Sequence, residues 1–166
     1  MKNFTFFTFI LVVFLAGCSY SLTLNTMPHL RNVQISEFEN NTSEYALAQD
    51  FQNYLVNNFQ RDGRLRITTL DPDSYIEGTI LDYRNEIFSY DDYGNVQDYR
   101  VSILFSIQMT DLRMQNVIYE NLSLLLSEPY TPNSPNPDVF TTETQAQEKI
   151  FERTFETIIR NTLEAW

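Results

Sequence analysis

Two aspartate pairs, one histidine and one cysteine are the side chains of this 166-residue chain with the most obvious chemical capacity. Asp71 with Asp73, and Asp91 with Asp92, are spaced as carboxylates that could share a proton or bind a metal ion. Both pairs lie in turn sequences, where Asp binds backbone N–H groups for local reasons, and that is the reading adopted. His29 follows Pro28 with no Ser, Cys or Asp spaced to complete a nucleophile–base set, so it is read as a solvated tether residue. The single Cys18 has no disulfide partner, and one Cys with one His cannot form the usual Cys/His zinc site. The four glycines each have a local explanation, which leaves no Gly-rich loop to cradle a phosphate. No catalytic set, cofactor or metal site is expected. The 22 Asp and Glu against 11 Lys and Arg give a net charge of −11, which repels phosphate backbones and argues against nucleic-acid binding. A hydrophobic fraction of 43%, with 10 Tyr and 13 Phe, is ample for the core of one domain.

The N-terminus carries a different kind of chemistry. Met1-Lys2-Asn3 precedes an apolar run from Phe4 to Ala16. That is the pattern of a secretory signal, and it is shorter than the roughly 20 apolar residues of a comfortable membrane span. The run ends in Leu15-Ala16-Gly17-Cys18, which resembles a bacterial lipobox. Small residues there let the backbone lie extended in a peptidase cleft, and the thiol is the nucleophile that takes the lipid. The expected division is a signal peptide over 1–17, acylated Cys18 with a tether over 18–32, and one domain over 33–166. Each buried acyl CH₂ contributes roughly 0.8 kcal/mol, and more than one chain gives stable anchoring. Ser19 stands where inner-membrane retention signals of this class usually have Asp, which implies the periplasmic face of the outer membrane.

Periodicity supplies the elements that must position everything else. Val33 and Ile35 alternate with polar neighbours in a first strand. Asn41 and Glu44 are spaced like a capping box ahead of a helix whose apolar stripe is Leu47, Phe51, Tyr54, Leu55 and Phe59. Gly63 suits the left-handed stop, and residues 65–70 read as a second short strand. From Tyr75 to about Ser127 a three-stranded meander is predicted. Its clearest strand, Tyr99 to Met109, has period two over eleven residues. Asp91 to Asn95 form its hairpin turn, with Gly94 supplying positive φ. Pro129, Pro132, Pro135 and Pro137 mark residues 128–141 as an irregular loop. Thr142 and Gln145 form a second capping box, opening a helix with the stripe Ile150, Phe151, Phe155, Ile158, Ile159, Leu163 and Trp166. The order β-α-β-β-β-β-α predicts an α+β two-layer sandwich, a mixed or antiparallel sheet with two amphipathic helices on one face. Tyr90, Tyr93 and Tyr99 gather near the long hairpin, either as ordinary packing or as a patch facing a partner.

An ordered set of short motifs runs through the mature chain: Cys18-Ser19-Tyr20, Met27-Pro28-His29-Leu30, Phe38-Glu39-Asn40-Asn41-Thr42, Arg61-Asp62-Gly63-Arg64-Leu65, and Tyr90-Asp91 with Gly94-Asn95-Val96 and Tyr99-Arg100. Tyr119-Glu120-Asn121 and Leu163-Glu164-Ala165-Trp166 follow. Together they resemble the lipopolysaccharide-assembly lipoproteins of the LptE family. The resemblance implies a non-enzymatic role inside an outer-membrane β-barrel, the lipopolysaccharide translocon LptD. There such proteins plug the lumen, assist barrel assembly and support lipopolysaccharide transport to the outer leaflet. On that reading Tyr90, Tyr93, Asn95, Tyr99 and Arg100 are candidate partner-binding residues, and Arg84, Arg100 and Arg113 are candidates for lipopolysaccharide phosphates. The basic residues are few and scattered, which favours the plug over direct lipid handling. The other reading is a lipoprotein activating a peptidoglycan synthase. Only about a dozen residues separate Cys18 from the first strand, at ~3.3–3.6 Å each, too few to cross the periplasm.

Overall fold

A computed structural model describes residues 27–164. The expected signal segment, Cys18, Ser19 and Trp166 lie outside the described residues. In chain order the elements are β1 (Asn32–Ile35), β2 (Glu39–Asn40), α1 (Leu47–Asp62), β3 (Arg66–Ile67), β4 (Ser74–Tyr90), β5 (Val96–Asp111), β6 (Asn116–Tyr130) and α2 (Glu143–Thr162). The sheet runs β3-β1-β4-β5-β6, with β2 pairing β4 beyond β1. β1 pairs in parallel with β3 and β4, and β2 in parallel with β4, whereas β4, β5 and β6 form the antiparallel meander. This is the mixed α+β sandwich expected.

The alternation on β5 decides which face is covered. Val101, Ile103, Phe105, Ile107 and Met109 are fully buried, and Ile76 and Ile80 of β4 join them. A bulge between Ile80 and Asp82 resets the alternation, so that Tyr83 pairs with Ile103 and faces the helices. Leu47, Phe51, Leu55 and Phe59 of α1 and Ala146, Ile150, Phe151 and Ile158 of α2 pack onto this one face. Phe51 is the meeting point. Its ring centroid lies 4.9 Å from Phe38, 4.9 Å from Phe105 and 5.1 Å from Phe151. Gly78 admits Phe38 against the sheet, since a Cβ there would sit 2.5 Å from the Phe38 ring and 2.5 Å from the Ser106 carbonyl oxygen.

The helix ends follow local chemistry with one exception. Gly63 closes α1 at φ +71°, donating its N–H to Phe59 O at 3.1 Å. Thr142 and Gln145 form the reciprocal box at α2. Replacing Thr142 with alanine is expected to lower stability by about 1 kcal/mol, read as a shift in the urea midpoint. The box expected at Asn41 and Glu44 is not formed: α1 starts later, and Ala46 at its N-cap makes no side-chain bond. Asn40 organises this turn instead. Its Oδ1 accepts from the Thr42 N–H at 3.1 Å, and its Nδ2 donates to Glu44 O at 2.8 Å. Because Asn40 also belongs to β2, the segment is held by the sheet before the helix begins. The second strand shrinks to Arg66–Ile67, and β6 continues through Pro129 to Tyr130.

Candidate partner-binding surface

The two faces of the sheet differ. On the face away from the helices, β5 presents Arg100, Ser102, Leu104, Ser106, Gln108 and Thr110, and no described helix crosses it. Flanking strands add Glu77 beside Gln108, Arg84 beside Ser102 and Glu86 beside Arg100. The Ser102 and Ser127 hydroxyls meet at 2.8 Å across β5 and β6. A groove of about 330 Å³, lined by Asp82, Arg84, Glu86, Ser102, Leu104 and Leu125, runs along it. The surface is charged and polar with apolar insets.

At one end of this surface is the β4–β5 turn, here called the tip. Asp91 builds it: Oδ1 accepts from the N–H groups of Tyr93 at 2.9 Å and Asn95 at 2.8 Å, and Oδ2 accepts from Asn95 Nδ2 at 2.9 Å. The Asn95 side chain, then the Asn95, Tyr93 and Gly94 backbone groups, hold this carboxyl below its ordinary range. Asn95 is therefore a structural member of the turn. Tyr90 and Tyr93 project from it, 60% and 92% exposed. Tyr99 does not join them. It lies on the helix-side face, stacked on Tyr130 with centroids 5.4 Å apart. Tyr130 in turn accepts from Asn85 Nδ2 at 3.0 Å. Behind this layer Tyr83 donates to Glu143 at the start of α2, and burial first, then Glu143, pushes the Tyr83 hydroxyl's pKa well up. Asp98 accepts from the Ser89 and Thr131 hydroxyls, which hold it below its ordinary range and tie the strands to the following loop.

The three candidate arginines separate. Arg100 lies with its guanidinium carbon 3.5 Å over the Phe88 ring, a cation–π contact on the open face. Arg84, one pairing step away on the same face, bonds Asp82 at 2.7 Å. Arg113 lies in the β5–β6 turn at the opposite end, here called the base. With β5 spanning 16 residues at ~3.4 Å each, tip and base are about 50 Å apart. Sequence reasoning missed Phe88 as the partner of Arg100, because Phe88 is skipped in the pairing between Ile87 and Ser89 and no register read from the sequence sets it beside Arg100.

The base is a knot of buried carboxylates. Asp73 accepts from the N–H groups of Arg31 at 3.0 Å and Asn32 at 2.8 Å, and from Arg113 Nε at 2.6 Å. Burial alone would raise its pKa, but Arg113 and the two N–H groups outweigh it and hold the carboxyl low. Asp111 is likewise lowered, burial being outweighed by the Met114 N–H, His29 and the Arg113 N–H. His29 Nε2 lies 2.6 Å from Asp111 Oδ2, so it is no solvated tether residue: it fastens the entering chain to the end of β5. Asp71 and Asp73 lie in a turn, but the bonds they make are long-range rather than the local caps expected: Asp73 holds the entering chain and Arg113, and Asp71 pairs with Arg113. No group of three His, Cys, Asp or Glu side chains among the described residues could hold a metal ion. No described helix is long and apolar enough to cross a membrane.

Helices on one face of a mixed sheet, a polar opposite face that no described helix covers and a projecting hairpin define a helix-on-sheet domain. The same fold occurs in a hypothetical protein of Chlamydia trachomatis, at 12% identity and a TM-score of 0.53, covering 78% of this chain and 94% of that one. It also occurs in an uncharacterized lipoprotein B of Nitrosomonas europaea, at 12% identity and a TM-score of 0.52, covering 79% and 81%. No curated protein matches the chain by sequence. Residues 30–163 match the LptE family, described as lipopolysaccharide-assembly. The chain belongs to that family.

Proposed function

We propose that this chain is an outer-membrane assembly factor, acylated at Cys18 on the periplasmic side, that seats in the lumen of the β-barrel translocon LptD. Its role there is to plug and help assemble the barrel, supporting lipopolysaccharide transport without catalysis of its own. The observation that carries this reading is the uncovered polar sheet face on a chain of the LptE family. A barrel lumen is lined by polar side chains, so it matches Arg84, Glu86, Arg100 and Ser102 better than it would an apolar face. The tip offers Tyr90 and Tyr93, residues suited to anchoring in a partner's pocket, with Asn95 and Asp91 holding the turn that presents them. Tyr99 acts from behind by stiffening the hairpin. Arg84 and Arg100 stand together as a site for lipopolysaccharide phosphate; Arg113, at the other end, is assigned to the fold.

Pull-down of the tagged chain from its own outer membrane in mild detergent, with mass spectrometry, tests this. The expected result is near-stoichiometric recovery of one large β-barrel protein. Recovery of a peptidoglycan synthase without a barrel overturns the reading. Converting Tyr90 and Tyr93 to serine should leave unfolding within about 0.5 kcal/mol, since both are exposed. Barrel recovery should nonetheless fall about fivefold or more, the effect of removing an interface anchor worth over about 1 kcal/mol.

A further inference from the structure

Charge is unevenly distributed between tip and base. Six of the chain's 11 basic side chains lie at the base: Arg31, Arg61, Arg64, Arg66, Arg113 and Arg160. Five of its 22 carboxylates lie there, which leaves seventeen for the rest of the chain. All five are in ion pairs, with His29, Arg64 or Arg113. Arg31, Arg61, Arg66 and Arg160 enter none of the ion pairs among the described residues. Arg61 and Arg160 complement the C-terminal ends of the two helices. Arg31 and Arg66, beside the paired starts of β1 and β3, have no such local reason. Of the described arginines outside ion pairs, all but Arg100 thus lie at one end of an acidic protein.

The same end carries exposed apolar side chains. Leu70 is 83%, Met114 65% and Leu112 42% exposed. They sit on two turns that Arg113 clasps together through Asp71 at 3.1 Å and Asp73 at 2.6 Å, and that the Leu112 N–H joins to Asp73 O at 2.8 Å. The chain also enters here, as the His29–Asp111 bond fixes. Nine residues lead from Cys18 to Met27, and at ~3.3–3.6 Å each they reach at most about 32 Å. The tip, about 50 Å from the base, is beyond that length.

We infer that the base is a membrane-docking surface for anionic phospholipid: Arg31 and Arg66 face headgroup phosphates while Leu70, Leu112 and Met114 enter the interface. This rests on the reading of Cys18 as an acylated anchor. Docking orients the domain, with the tip and the open sheet face clear of lipid and free for a protein partner.

The test uses the acylated full chain with a single new cysteine, Met114→Cys or Tyr93→Cys, carrying an environment-sensitive fluorophore. Vesicles are phosphatidylcholine with or without phosphatidylglycerol, containing a spin-labelled quencher lipid. Quenching is expected at position 114 in the anionic vesicles and not at position 93. Arg31→Gln and Arg66→Gln should each lower the docked-to-undocked ratio about fivefold, and Leu70→Glu should lower it without touching the core. A chain that floats with the vesicles while position 114 stays unquenched, or while position 93 is quenched instead, overturns the docking surface and leaves the anchor standing. A chain that does not float overturns the anchor and the docking together.

Discussion

Replacing Phe51 with alanine is expected to lower the free energy of unfolding by about 3–5 kcal/mol, the largest effect of any substitution considered for this chain. Phe51 is fully buried where all layers meet: Phe38 before α1, Phe105 on β5 and Phe151 on α2 lie around one ring. Removing it empties a volume that three other aromatics cannot refill without leaving their own contacts with the sheet and α2. The loss therefore combines lost transfer energy with a residual cavity. Since domains of this size are stable by about 5–15 kcal/mol, the variant should be marginal at physiological temperature. Urea unfolding is the measurement, with an unchanged slope showing that only stability moved. Tyr45→Ala, at an exposed position on the same helix approach, should stay within about 0.5 kcal/mol. A Phe51 variant losing under about 1 kcal/mol would contradict the described packing of helices on the sheet.

The second large effect lies in the base. Asp73→Ala strands the N–H groups of Arg31 and Asn32 and removes the buried partner of Arg113, an expected loss of about 3 kcal/mol. Acid should reproduce part of it. Asp73 and Asp111 are both held below their ordinary value of 3.8 in the folded chain. A carboxyl lowered by folding contributes its full stabilisation above its unfolded pKa, and that contribution is lost as pH falls through the folded one. Stability should thus fall below about pH 4, as the unfolded chain binds protons the folded chain resists. Urea midpoints at descending pH check this. In Asp73→Ala the descent should be shallower, because one of the lowered carboxylates no longer contributes. A descent of unchanged steepness would show that the acid sensitivity arises elsewhere. Since the same knot holds the entering chain, hydrogen exchange at Arg31 and Asn32 should rise in this variant before global unfolding does.

Both effects trace to contacts of very different legibility. The alternation from Tyr99 to Met109 predicted the buried face of β5, because a strand's side chains alternate whatever it pairs with. The Thr142–Gln145 box and the Gly63 stop were equally legible, being chemistry within one helical turn. The sequence could also place Tyr90, Tyr93 and Arg100 near one hairpin through the turn residues Asp91 to Asn95. The same alternation put Tyr99 on the face of Val101 and Arg100 on the opposite one, but it could not say that Arg100 lies over Phe88, since that depends on irregular pairing along β4.

What the amino-acid sequence determined by itself is the set of elements, their amphipathic faces, the α+β class and the family resemblance, all of which rest on short-range pattern. Tertiary structure alone decided which distant residues meet. His29 and Asp111 lie 82 positions apart, and no local preference brings a histidine beside a proline to the end of β5. Only the parallel pairing of β1 with β4 does so, by setting the entering chain against the turn between β5 and β6. The strand pairings, with the ends of both helices, gather six arginines, dispersed from position 31 to position 160, at one end of an acidic molecule. Charge can be counted along a chain, but its direction in space is set by register and topology.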